Sequence, residues 1–173
     1  MSQLLVRNRQ RARPVRAPLL RRLLTALLKE QLRLDSWELG VHLVGDAEMT
    51  RLNEHFLRHA GTTDVISFNH AAASVPAPER EPRPALYGEL FVCVPEAVRQ
   101  ARRFRTHWTQ ELARYLVHGT LHLLGYDDAA PAARRRMKRE EDRLLRELAP
   151  HVAALRGGVR SARRRPGQNP SGR

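Results

Sequence analysis

Residues 118–128, HGTLHLLGYDD, constrain this chain more than any other stretch. His118 and His122 are four apart, so on a helix they project from one face, about one turn apart. Gly125 ends such a helix, because glycine readily takes the left-handed conformation that closes a last turn. Asp127 and Asp128 follow where the chain can fold back. Two imidazoles at this spacing can hold one metal ion, and a carboxylate returning from the loop supplies a third ligand. Three protein ligands leave a coordination position open to water, which is the arrangement of a hydrolytic centre and not of a closed structural site. The metallopeptidase pattern HExxH needs a glutamate directly after its first histidine as general base. Gly119 stands there instead, so a zinc peptidase ranks only as an alternative.

Periodicity places this motif in a single α/β (α+β) domain, with one small mixed sheet packed by about five helices and the metal site at the end of a central helix. Strands are expected at 3–8, 37–44 (WELGVHLV), 63–68 (TDVISF) and 87–94 (YGELFVCV). The leucines of 18–34 recur at helical spacing, and Asp46 is positioned to cap a short helix reaching Phe56. Four prolines in 70–84 make that stretch an exposed connection. Pro95 suits the first turn of a helix to Arg105, Thr109 is the expected cap of the histidine helix, and Pro131 opens a charged helix to Leu148.

The excess charge sits at the two ends. Residues 1–22 carry seven arginines and residues 156–173 six more, with no acids in either stretch. The remaining 18 basic residues match the 18 acids, so the body is neutral. Thirteen terminal guanidiniums favour a polyanion, and Arg7, Arg9, Arg11 and Arg13 are candidate phosphate contacts. With 9 aromatics in 173 residues, shape and phosphate contacts should outweigh base stacking. An arginine-rich, acid-free start also resembles a transit peptide, but Leu4, Leu5 and Val6 followed by Asn8 suit a strand opening the domain. The domain is expected to span 1–150, and the polar, basic stretch 151–173 to form a disordered tail. The single Cys93, in the apolar run LFVCV, is expected to be a buried thiol in a reducing compartment. No apolar run approaches the roughly 18–20 residues of a membrane span.

HGTLHLLGYDD resembles the signature of the YbeY family of metal-dependent endoribonucleases, HGxLHLxGYDH. NEHFLRHAGTTDVISF (53–68) is similar to the family's segment ending in TDVLSF, and YGELFVC to its GDI-containing strand. This resemblance implies a cytoplasmic endoribonuclease with one zinc ion per chain, acting on rRNA at the 3′ end of the small-subunit species and associating with the small ribosomal subunit. It implies His118, His122 and Asp128 as metal ligands, with Asp128 standing where the family has its third histidine. Arg58 or His59 would neutralise developing charge, because the family's arginine position holds Leu57 here. Asp64 and Ser67 match family positions that could tie their strand to the metal helix. The Asp128 substitution keeps open a second alternative, a non-catalytic ribosome-associated factor with a structural metal.

Overall fold

The computed structural model describes residues 2–71 and 85–162, the side chains of 159–162 excepted. Strands β1 (Gln3–Asn8), β2 (Trp37–Val44), β3 (Val65–Asn69) and β4 (Leu86–Cys93) form one mixed sheet in the order β1-β2-β4-β3. β1 runs parallel to β2 and β2 to β4, whereas β3 is antiparallel to β4 with Ser67 opposite Leu90. Parallel neighbours require crossover connections. The first is α1 (Ala17–Thr25), continued by a π-helical stretch, Ala26–Gln31. Helix α2 (Asp46–Leu52) likewise continues as a π-helical turn, Asn53–Leu57, before β3. Then come α3 (Val94–Phe104), α4 (Trp108–Leu123), α5 (Pro131–Glu147) and α6 (Ala149–Ala162).

The period-two pattern of β2 and β4 turns Leu39, Val41, Leu43, Leu90 and Val92 toward α1 and α4, where they form the main core with Leu20, Leu24, Leu112 and Leu116. Helix α4 is hemmed in on most sides, with 12 of its 16 residues buried, and His118 and His122 are among the few that reach solvent. Cys93 is a buried free thiol, as expected. Among the described residues no helix is long and apolar enough to cross a membrane.

Two local expectations are corrected. Gly45, not Asp46, caps α2; Asp46 is its first helical residue, and its carboxylate receives Arg99 Nη1 at 2.9 Å and Nη2 at 2.7 Å. That bidentate pair across elements takes the oxygens a cap would have needed. The connection expected over 70–84 lies outside the described residues apart from His70 and Ala71. The largest difference is at the C-terminal end. Where composition predicts a tail from residue 151, the chain instead continues as α6, which buries Val152 and Leu155 in the main core and makes a sixth helix. These two residues lie three apart on one helix face, a short apolar stripe that the surrounding basic residues mask in the sequence. Residues 163–173 are outside the described set.

If α6 belongs to the folding unit, Leu155→Ala should lower the unfolding free energy by about 2–5 kcal/mol, as for other buried leucines. Urea denaturation measures this, and an unchanged midpoint would place α6 outside the cooperative unit.

Candidate metal centre

The histidine helix begins two residues earlier than the expected Thr109 cap would place it. His107 is its N-cap: its ring Nδ1 accepts the Thr109 amide at 3.3 Å, while Gln110 Oε1 accepts the His107 amide at 3.0 Å, closing a capping box. Burial, with Arg156 and Arg13 nearby, pushes the His107 imidazole below its ordinary value. The neutral ring keeps the lone pair that a cap requires. Histidine seldom serves this way, which is why Thr109 is the natural reading of the sequence.

At its other end α4 closes in a Schellman motif. The Gly125 amide donates to His122 O and the Tyr126 amide to Leu121 O, both at 3.0 Å, with Gly125 at φ +87°. Between its ends the helix lies close on the sheet. A Cβ at Gly119 would stand 2.9 Å from Leu90 Cδ2, 3.0 Å from Val65 Cγ2 and 3.2 Å from Ser67 Oγ. Position 119 therefore faces the sheet, away from the solvent-exposed edge of the histidines. The glycine supplies no carboxylate for a general base, and the close packing leaves no room for one without the sheet giving way, which argues against the peptidase alternative. Ser67 Oγ donates to Gly119 O at 3.3 Å and Asn69 Nδ2 to Leu123 O at 3.1 Å, so β3 is tied to the metal helix as the Ser67 match suggests. Asp64 instead accepts from its own neighbours, the Thr63 hydroxyl and the Val65 amide.

His118, His122 and Asp128 converge, with one potential ligand atom from each lying within 4.8 Å of the others. They are the one such group of three or more metal-ligating side chains among the described residues. The two Nε2 atoms are 3.1 Å apart, and His122 Nε2 lies 3.8 Å from Asp128 Oδ2. Two bonds of about 2.0–2.1 Å meeting at a tetrahedral angle would set donor atoms about 3.3 Å apart, so the imidazole pair fits one small ion. The other ring nitrogens are engaged. His122 Nδ1 donates to the carbonyl of Tyr126 at 3.0 Å, and His118 Nδ1 faces Glu141 Oε2 at 3.1 Å. A carbonyl can only accept, so His122 carries its proton on Nδ1 and turns a lone pair inward from Nε2. The donor set, two nitrogens and one carboxylate, suits zinc.

Glu141 is the site residue that motif reading misses. It is 5% exposed on α5 and receives Arg114 Nη1 at 2.7 Å and Lys138 Nζ at 2.9 Å besides His118. Burial alone would raise its carboxyl. Hydrogen bonds from His118, Lys138 and Arg114 outweigh that and hold it at about 2. In return, the hydrogen bond to Glu141 raises His118 above its ordinary value, against burial. One sequence signal points to Glu141: it is the lone acid in the stripe Met137, Glu141, Leu144, Leu148, all buried.

The remaining sequence candidates do not join the centre. Arg58 and His59 are exposed beyond the π-helical turn of α2, with Arg58 in a left-handed conformation at φ +56°. Among the described residues no hydrogen bond or ion pair links either to the three converging side chains. Arg9 is paired with Glu48 at 2.7 Å, and Arg13 Nη1 donates to the carbonyl of Ala12. Arg7 and Arg11 are exposed.

The family model described as Endoribonuclease YbeY matches residues 5–149. This chain belongs to that family. The Endoribonuclease YbeY of Chlorobium phaeovibrioides is 40% identical over 110 residues, covering 64% of this chain and 68% of that protein. That of an Anaeromyxobacter species is 40% identical over 121 residues, covering 70% and 59%, and that of Myxococcus xanthus 36% identical over 135 residues, covering 78% and 45%. The matches to the latter two thus span less than two thirds of those proteins. The solution structure of TM1509 from Thermotoga maritima shares the fold, with a TM-score of 0.58 and 24% identity over 96% of this chain and all of that one. Membership supports an endoribonuclease role and an RNA substrate.

Two outcomes follow from the Glu141 contact. Glu141→Gln should weaken the affinity of this centre for a divalent metal about 10–100-fold, as loss of an outer partner of a ligating histidine generally does; competition with a chromophoric chelator measures it. In metal-stripped protein, depression of Glu141 contributes stability above its unfolded value of 4.5 that is lost as pH falls toward 2. Elevation of His118 contributes stability below 6.5 that is lost as pH rises through its folded value. Thermal unfolding in chelator should therefore show a contribution from this pair that is largest between those limits and that Glu141→Gln flattens.

Proposed function

We propose that this chain is a zinc-dependent endoribonuclease of rRNA maturation, acting in the cytoplasm on the 3′ end of small-subunit rRNA in association with the small ribosomal subunit. One observation carries this reading. In a member of an endoribonuclease family, two imidazoles with their Nδ1 atoms already engaged direct their Nε2 atoms toward each other beside a carboxylate. A zinc ion held by His118, His122 and Asp128 would supply Lewis acidity toward a phosphodiester oxygen and acidify a bound water.

The chain's own residues do the rest. Glu141 holds the His118 ring in orientation, and the Tyr126 carbonyl does the same for His122. Asp128, on an exposed loop, contributes the anionic ligand. Arg58 and His59, exposed on the loop that leads into β3, are assigned to neutralising charge that develops on the phosphate. Arg7, Arg11 and Arg13 are assigned to the RNA backbone, where they would bind without reading sequence. Arg9 contributes less while Glu48 holds it.

Metal-stripped protein should not cleave a structured fragment of small-subunit rRNA, and added zinc should restore cleavage. His122→Ala should abolish it. Arg58→Ala should lower the rate about 100-fold or more if the guanidinium meets transition-state charge, with circular dichroism unchanged. Cleavage persisting in His122→Ala would remove the chemistry from this helix. Zinc binding that raises the melting temperature without any cleavage would favour a structural metal.

A further inference from the structure

Helix α4 carries Glu111, Tyr115, His118 and His122 at steps of four, three and four, so these side chains form one stripe along it. The last two belong to the metal centre. The first two line a groove of about 390 Å³ that lies toward the start of the helix. Asp64, from the segment before β3, and Glu96 and Phe104, from α3, complete its walls, together with Arg114. The groove is joined to the metal centre by contact, because Arg114 binds the same Glu141 that orients His118. Its volume lies in the range of about 300–1,000 Å³ typical of small-molecule sites.

Tyr115 is 5% exposed, and its hydroxyl is buried with no hydrogen-bond partner among the described residues. Burial and the carboxylates of Asp64, Glu96 and Glu111 push the phenol well above its ordinary value, so it stays a donor. A buried hydroxyl without a partner is unusual and points to a missing acceptor. The carboxylates offer the opposite polarity. Asp64 uses Oδ1 for the Thr63 hydroxyl and the Val65 amide, and Oδ2 has no hydrogen bond among the described residues. They do not form a second ion site, since they are absent from the one ligand group that converges within 4.8 Å. At the lip, Phe104 is 60% exposed, with the guanidinium of Arg103 5.5 Å from its ring centre. Arg102, Arg103 and Arg105, which flank Phe104 in the chain, are all exposed. Cations beside the lip residue, an aromatic face at the lip and carboxylates with a phenol inside match the parts of a nucleotide: phosphate, base plane and base edge.

We infer that this groove is a base-recognition subsite for a single-stranded segment of the RNA substrate, and that it prefers guanine. Guanine presents N1–H and N2–H as adjacent donors that suit the free Oδ2 of Asp64 together with a second carboxylate of the groove, Glu111, and O6 and N7 as acceptors for a hydroxyl. Adenine, cytosine and uracil each lack that pair of adjacent donors. Asp64 is the carboxylate with an oxygen to spare, and Tyr115 supplies the complementary donor. The choice of RNA as occupant rests on the endoribonuclease role proposed for the metal centre.

The test is titration of the four nucleoside 5′-monophosphates into metal-stripped, full-length protein, followed by amide NMR shifts. Guanosine monophosphate should bind roughly tenfold more tightly than the other three, with shifts centred on Phe104 and Tyr115. Asp64→Asn should erase the preference. Tyr115→Phe should weaken guanosine monophosphate roughly threefold or more without lowering the melting temperature, because its hydroxyl has no partner to lose. Equal binding of all four nucleotides, or shifts confined to the arginine-rich ends, would overturn the subsite. So would tighter occupation by argininamide, which would make the groove a seat for a cationic side chain. Guanine-selective binding in a protein with no zinc-restored cleavage would keep the subsite and sink the nuclease role. Zinc-restored cleavage with no guanine preference would do the reverse.

Discussion

Helix α4 can lie on β3 and β4 as closely as it does because residue 119 has no side chain: a Cβ there would stand 2.9 Å from Leu90 Cδ2 and 3.0 Å from Val65 Cγ2. The same economy recurs beneath the end of the helix. A Cβ at Gly88 would stand 2.5 Å from the carbonyl of Phe68 and 2.8 Å from Leu123 Cδ2. With helix and sheet this close, Ser67 and Asn69 reach the carbonyls of Gly119 and Leu123 directly. Their hydrogen bonds fix the rotation of α4 about its axis. That rotation decides where His118 and His122 point, so the metal centre inherits its orientation from a packing contact on the far side of the helix.

Electrostatics then connect α4 to α5. Glu141 is a buried carboxylate, and such a group is tolerated only when its lone pairs are met. Arg114, Lys138 and His118 meet them from two helices. The cluster is costly to break, because losing one partner leaves charge in a low-dielectric setting. It also makes the orientation of His118 depend on a helix outside the HGTLHLLGYDD motif. Arg114 extends the connection a turn further back, since its guanidinium lines the groove in which Tyr115 and Asp64 sit.

Much of this was legible in the sequence, and the reasons differ by residue. Spacing alone places His118 and His122 on one face, and Gly125 adopts the left-handed conformation its position demands. β2 spans Trp37–Val44 as expected, because a central strand is held on both edges. What escaped were partners distant in sequence. Glu141 sits within RRRMKREEDR, where only its place in the apolar stripe with Met137 and Leu144 separates it from Glu140, which pairs on the helix surface with Arg143. Arg9 reads as a free cation until Glu48, 39 residues on, comes beside it. Helix α6 escaped because only two of its described residues, Val152 and Leu155, enter the main core, and both are core only once α1 and α4 are in place. The family-matched segment ends at residue 149, so α6 is also absent from that match.

Helix α6 has a further effect on the distribution of charge. Its Gly158 lies against α1 so closely that a Cβ would stand 2.5 Å from Leu19 Cδ1 and 3.0 Å from Arg16 Cδ. Arg13 and Arg156 both bear on the His107 ring at the start of α4. Arg13 and Arg156, 143 residues apart in the chain, thus meet at one imidazole. Burial lowers that ring first and the two guanidiniums lower it further, so α6, by seating Arg156 there, helps keep the lone pair that accepts the Thr109 amide. The cap of the histidine helix is in this way set partly by the helix that closes the fold.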